Sequence, residues 1–342
     1  MGKIEFEDVP CLICGSHGSQ LITSIEWRSE TLDFHLCKHC GLEYLNPRPT
    51  QAWYRQFYRN QFWEDLVSGT GWTLSGEQKH KHLLDTAPGG MSPVILKQKK
   101  RAERVADMLL KTLKIGPESR VLDVGAAFGF VSLSLQERTG CSIAAIEPSD
   151  LAREYIEEYE IELVGRFAED IAADDTLTNR FDVVFISTAL ENLNDPLAFI
   201  QSVARILATD GQFVSITPNF YYFNAKNPYH PFIFAPETLS YLYNEAGFSI
   251  TNYVGEPTPH SGTKVLCHDD MFLSRHFALA GTPKKEHAGA TPLQLNPEEM
   301  LKRRQMGLSV VAQAKASRKR ELKKKSRLKK STSFLESFMK FK

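Results

Sequence analysis

Four cysteines in two matched units give the chain a capacity for metal chemistry: Cys11-Leu-Ile-Cys14-Gly15 and Cys37-Lys-His-Cys40-Gly41, with 22 residues between the units. Two residues between thiolates let both sulfurs reach one tetrahedral ion, and the following glycine lets the backbone turn so that amide groups face the sulfurs. Zinc is favoured over disulfides or buried thiols, because the first residues show no secretion signal and thiols in that setting stay reduced. Four thiolates close the coordination sphere, so the ion would be structural. His17, His35 and His39 are alternative ligands, and Cys141 and Cys267 read as small buried hydrophobes.

The second chemically capable stretch is VLDVGAAFGF, residues 121 to 130. An apolar run ends in an acid, a turn of small residues follows, and apolar residues resume. A dinucleotide site would want G-x-G-x-x-G, because a pyrophosphate needs close backbone approach and a helix N-terminus. This turn reads Asp123-Val-Gly125-Ala-Ala127-Phe-Gly129, with Phe130 where the last glycine of that fingerprint would fall. An acid just ahead of the turn repels a pyrophosphate and suits a cation.

Strand and helix alternate around this turn, which implies an α/β fold with a parallel sheet covered on both faces. The expected strands are Val121–Val124, Ser142–Ile146, Glu162–Val164, Asp182–Ser187, Gln212–Thr217, Phe248–Val254 and Met271–Leu279. Helices are expected at Pro93–Leu113, Phe130–Glu137, Leu151–Glu158, Pro196–Leu207 and Pro236–Ala246. Asp195 is the N-cap and Pro196 the first residue of its helix. Ahead of the core, LITSIEWRSETLDFHL reads as the short strands of a zinc ribbon, and WYRQFYRNQFWEDL as a helix with its aromatic residues on one side. Packing against the next domain is the first reading of those aromatics, and gripping a ligand the second. Residues 68 to 92 read as a loop or lid. The domains are then 1–50, a zinc ribbon; 51–117, a helical and lid region; 118–280, the α/β core; and 281–342, a linker and basic tail.

The turn at 123–129 resembles motif I of the class I S-adenosylmethionine-dependent methyltransferases, D/E-x-G-x-G-x-G, with Ala127 in the middle glycine's place. An alanine there is tolerated if the backbone does not need a positive φ. Further blocks carry the resemblance in order: AAIEPS with Glu147, FAEDI with Glu169 and Asp170, FDVVFISTALENLNDPLAFIQSVARIL, and ATDGQFVSITPN. Residues 40 to 49 also match the CGL-x-x-LNPRP of zinc-bearing members. The resemblance implies a Rossmann-like seven-stranded sheet and S-adenosyl-L-methionine as methyl donor. Asp123, Gly125, Ala127 and Gly129 would hold its methionine end, Glu147 its ribose and Asp170 its adenine, with Ser187 at the end of the fourth strand beside them. Asn192 stands where the family often has histidine.

The same resemblance points to sugar, glycan and natural-product methyltransferases, hence O- or C-methylation of a saccharide or other small polar acceptor. Its acceptor pocket would lie around Asn219, Tyr221, Tyr222 and His230. His230, four residues before Phe234, is the candidate base, with Glu191 orienting it; hydrogen-bonding or capping of the loop is the alternative. Sugar C-methyltransferases carry a further C-terminal α/β domain, which this chain replaces with a lysine-rich tail.

That tail polarises the molecule. Residues 301–342 hold 15 Lys or Arg against two acids, a net +13 that the remaining 300 residues balance with −13. It is expected to fold onto the acidic body, to stay solvated, or to meet an anionic membrane surface or nucleic acid. With no apolar run of membrane-spanning length, the expected location is cytoplasmic or peripheral to a membrane. The functional alternatives are a non-catalytic binding protein on a methyltransferase fold, and an RNA-directed methyltransferase that uses the tail.

Overall fold

The computed structural model describes residues 3–63, 93–222, 228–255, 276–284, 296–306 and 308–309. The N-terminal unit holds β1 (Phe6–Glu7), β2 (Ser19–Trp27), β3 (Glu30–Cys37), β4 (Glu43–Leu45), β5 (Arg48–Pro49) and α1 (Gln51–Asn60). Strands β2 and β3 form a hairpin whose two turn residues, Arg28 and Ser29, both have positive φ, the twist-matching arrangement for a two-residue connection. Helix α1 starts where Thr50 caps the amide of Trp53, and ends at Gln61, earlier than the aromatic run alone suggests.

The core follows with α2 (Pro93–Thr112), β6 (Arg120–Val124), α3 (Phe130–Thr139), β7 (Ser142–Ile146), α4 (Asp150–Glu158), β8 (Glu162–Gly165), β9 (Phe181–Ser187), α5 (Pro196–Ile206), β10 (Leu207–Pro218), β11 (Phe232–Ile233), α6 (Pro236–Glu245), β12 (Phe248–Gly255) and β13 (His276–Pro283). Gly129 and Gly140, both left-handed, bracket α3, and Asp195 accepts the amide of Ala198 at 2.9 Å to start α5. Two expected boundaries move. β10 begins five residues early and absorbs the Asp210-Gly211 turn as a register shift. β13 runs to Pro283, while residues 271–275 lie outside those described.

The sheet has seven strands in the order β12-β13-β10-β9-β6-β7-β8. Six run in one direction, five of them paired in parallel as expected, and β13 runs antiparallel to both of its neighbours, β10 and β12. Chain order reverses between β6 and β9, which opens a crevice beyond their carboxyl ends.

The N-terminal unit is built into this core rather than appended to it. β11 completes a four-stranded sheet, β11-β4-β3-β2, and Cys11, Cys37, Cys40 and Tyr44 share one apolar core with Leu122, Ile186 and Tyr243. Buried Arg48, from the LNPRP segment, donates to the Asn194 carbonyl at 2.7 Å and to Glu7 at 2.9 Å. The helical turns at 297–306 also dock. Met300 packs its sulfur against Gly41, and buried Arg304 pairs with buried Glu43 and lies 4.3 Å over the Phe220 ring. The start of the tail thus folds onto the N-terminal unit, while residues 310–342 and the lid stretch 68–92 lie outside those described.

Candidate active site and metal centre

The sulfurs of Cys11, Cys14, Cys37 and Cys40 all lie within 4.8 Å of one another. Four thiolates about 2.3 Å from one zinc would stand roughly 3.8 Å apart, so the cluster has the size of a tetrahedral site. Each knuckle turns as the spacing requires. Gly15 and Gly41, with φ of 68° and 77°, return their amides to the carbonyls of Cys11 and Cys37. The amide of His39 points at Cys37 Sγ at 3.4 Å. No disulfide joins the described cysteines.

A cavity of about 380 Å³ occupies the crevice at the β6/β9 reversal, within the size range of small-molecule sites. Its sheet side is lined by Gly125, Ala127, Glu147, Ser187 and Thr188. The lining is completed by Tyr54, Tyr58, Phe62 and Trp63 of the α1 region, by Tyr229 and His230, and by Lys97, Arg101 and Arg104 of α2. Phe57 fills a core shared with Trp27, Phe34 and Leu45 of the N-terminal unit itself, while Tyr54, Tyr58, Phe62 and Trp63 line the cavity.

Glu147 is the best-defined polar group here. Its two oxygens accept the amides of Ala127 at 2.8 Å and Ser149 at 2.9 Å, so one carboxylate ties the β6 turn to the end of β7. Burial nevertheless pushes its pKa up to about 7 from 4.5, against those two amides, with Asp123 adding to the rise. Ala127 sits at φ 53°, so the middle position of the turn does need a left-handed backbone. Its alanine is held there by the bond to Glu147. Replacing it with glycine should remove left-handed strain, less the added freedom of the unfolded chain, and raise stability by about 0.5–1 kcal/mol in thermal melts. A lower Tm would mean that the methyl contributes packing that outweighs its strain. Gly125, at φ 73°, is stricter still, since a Cβ there would stand 2.8 Å from that of Ala189.

Asp123, Gly129 and Asp170 are not among the cavity-lining residues. Asp123 is 2% exposed and lies behind the turn, where Ser132 Oγ donates to it at 2.7 Å; burial raises its pKa to about 7 from 3.8. Asp170 bonds Arg55 at 2.9 Å, and that guanidinium lies 3.8 Å over the Phe167 ring at the cavity's edge. Ala168 and Glu169 do line it.

Also in the lining, His230 has its Nε2 4.0 Å from Glu191 Oε1. Glu191 is fully buried; Thr217 donates to its Oε2 at 3.2 Å, and its Oε1 has no hydrogen-bond partner among the described residues. Burial raises the Glu191 pKa to about 7, and burial with His276 and Arg101 nearby lowers that of His230 to about 3. Asn219 and Tyr221, expected to shape this pocket, point elsewhere. Both are buried, and Tyr221 donates to Glu237 at 2.9 Å on the side where Arg304 docks. Tyr222 is not in the lining either. The Asn219 side chain accepts the Tyr221 amide, and the Phe220 and Tyr221 rings enter a separate apolar cluster built with the distant Leu36 and Met300.

The residue that sequence reasoning missed is Arg101. It reaches from α2 to Thr188 Oγ1 at 2.6 Å and Ser187 Oγ at 3.3 Å, and its charge bears on Asp123, Glu191 and His230 alike. The spacing of Lys97, Arg101 and Arg104 along one helical face was the available signal.

Residues 98–253 match the sequence profile of a methyltransferase-domain family. The chain is similar to the sarcosine/dimethylglycine N-methyltransferase of Halorhodospira halochloris, with 26% identity over 172 residues, 48% of this chain and 57% of that protein. It is also similar to a ubiquinone biosynthesis O-methyltransferase of Xanthomonas oryzae pv. oryzae, with 34% identity over 183 residues, 51% of this chain and 66% of that protein. It therefore spans less than two thirds of the length of either relative. A solved S-adenosylmethionine-dependent methyltransferase from Mesorhizobium loti shares 13% identity at a TM-score of 0.43, covering 54% of this chain and 99% of that one.

Proposed function

We propose, from the match of residues 98–253 to a methyltransferase-domain profile, that the chain transfers a methyl group from S-adenosylmethionine to a small polar acceptor, with a hydroxyl-bearing saccharide as the acceptor class. The observation that carries this reading is one cavity whose lining brings together a buried carboxylate and a glycine turn with a histidine backed by a second buried carboxylate.

The sheet side suits the donor. Glu147, held near neutrality by burial, gains from the two hydroxyl donors of a ribose. Gly125 and Ala127 let the chain approach the methionine end, and Gly129 starts α3 behind them. Asp123 acts from beneath the turn through its charge. Asp170 fixes the Arg55–Phe167 stack beside the adenine, and Ser187 closes the floor. Bound there, the donor supplies an electrophilic methyl on a sulfonium, so the protein's part is position and dryness. The aromatic wall excludes water and offers faces for a sugar ring. His230, kept neutral by burial, accepts the acceptor's hydroxyl proton at Nε2 only with Glu191 ionised, because a pKa of about 3 makes the imidazole a weak base until that carboxylate faces the imidazolium. Cys11, Cys14, Cys37 and Cys40 hold one structural zinc, consistent with their spacing and thiol chemistry.

Calorimetric titration with S-adenosylmethionine tests the donor half. Asp123 must ionise to meet the donor's ammonium group and Glu147 to accept both ribose hydroxyls, and with pKa values near 7 both are largely protonated at pH 6. Donor affinity should therefore rise between pH 6 and 8, by up to about tenfold per unit per group, with proton release at pH 6.5. The ligand-free fold has the opposite dependence. Carboxylates raised from about 4 to about 7 contribute stability that is complete below pH 4 and lost as pH rises through 7. Glu147→Gln should weaken donor binding about 10- to 100-fold and flatten the pH dependence. No measurable donor binding to the parent protein would overturn the enzymatic reading.

A further inference from the structure

The segment that carries His230 hangs from the N-terminal unit rather than from the sheet. Leu45 donates its amide to the Pro231 carbonyl at 2.9 Å, and Phe232 and Ile233 pair with Tyr44 and Glu43 of β4. From the other side, Tyr58 donates its hydroxyl to the Tyr229 carbonyl at 2.8 Å, and Tyr54 to the Pro228 carbonyl at 3.3 Å. The Tyr229 ring is stacked on Phe57 at 5.5 Å. Carbonyls on both sides of His230 are thus bound by residues from 45 to 58, some 170 positions earlier in the chain.

We infer that Tyr58 is a positioning residue for His230, and that the ribbon with α1 is the frame that fixes the acceptor half of the site. The inference rests on the reading of His230 as the proton acceptor. Burial keeps the Tyr58 phenol far above its ordinary pKa, so it stays a donor across the working pH range. Its hydroxyl binds the carbonyl of Tyr229, the residue next to His230, so the height of that carbonyl above α1 sets where the imidazole lies. Glu191 of the β9–α5 connection, His276 of β13 and Arg101 of α2 face His230 from the other elements. The donor wall is tied differently, through Glu147 to the ends of β6 and β7. The acceptor half therefore hangs mainly on the ribbon and α1 and the donor half mainly on β6 and β7, with the Arg55–Asp170 and Arg59–Asp150 pairs joining α1 to the core.

The test uses the full chain and Tyr58→Phe, which deletes one oxygen and keeps the ring stacked on Tyr54. Two readouts need no acceptor. Hydrogen exchange of the peptide spanning 228–233 should quicken about tenfold, while peptides of β6 and β9 stay as protected as in the parent. Carbethoxylation of His230 by diethylpyrocarbonate, mapped by mass spectrometry against pH, should speed up about tenfold. Its apparent pKa should move at least one unit upward toward the ordinary value of about 6.5, as the ring leaves its buried place. Tyr54→Phe, with the longer bond, should give the same changes to a smaller degree. A His230 pH profile identical to the parent's in both variants would overturn the inference, even with donor affinity intact. Failure of the parent to bind S-adenosylmethionine would instead remove the methyltransferase reading and leave the His230 measurements standing on their own.

Discussion

Metal removal is expected to abolish methyl transfer while leaving donor affinity within about threefold of its starting value. The purified chain should carry close to one zinc. Stripping it with a strong chelator removes a set of bonds that in small thiolate sites contributes on the order of 10 kcal/mol to folding. The knuckles, the β2–β3 hairpin and β4 then lose their anchor, and with β4 goes the sheet that seats Phe232 and Ile233 next to His230. The carboxyl ends of β6, β7 and β9 are held by their own parallel ladder and by a second apolar core built on α2, so the donor wall outlasts the ribbon. Label transfer from methyl-labelled donor into cell extract, measured beside calorimetric donor affinity, separates the two effects. A metal-free protein that still transfers methyl at the parent rate would show that the thiolate cluster is peripheral.

Arg304→Ala is expected to lower stability by about 3–5 kcal/mol. Arg304 and Glu43 keep 6% and 0% of their side-chain surface, and a buried acid that loses its cation carries a penalty of that size. The guanidinium also covers the Phe220 ring. Arg304→Lys retains the charge but not the fork or the flat stacking face, and should lose about half as much. Denaturant midpoints at pH 7 decide the matter, and a change below about 1 kcal/mol would mean that the helical turns at 297–306 are only loosely applied. The position matters because the sequence places Arg304 inside a run of cations that otherwise suits solvent. Nothing in that run marks one arginine as buried; Met300, four residues earlier and wedged against the second knuckle glycine, is the contact that turns the helix inward.

Local rules explain why much of the site was readable in advance. A glycine that must be left-handed, an aspartate with proline after it, and thiolates three residues apart each act through atoms a few bonds away. The β6 turn, the start of α5 and the two knuckles accordingly formed where their residue types put them. Ala127 shows how far that goes. A left-handed alanine is disfavoured by its own backbone, and it is accepted here because Glu147, twenty residues on, holds its amide.

The chain by itself determined a strand-turn-helix core with carboxylates at the strand ends, a four-thiolate cluster ahead of it, and a cationic end. Tertiary structure alone decided that the aromatic helix would wall the cavity, that Arg101 would reach Ser187 and Thr188, that Tyr221 would turn away, and that Arg304 would be buried against Glu43. The difference is physical. Turn and cap energies depend on neighbours in sequence, whereas these four outcomes depend on which buried surfaces meet after elements tens to hundreds of residues apart have docked.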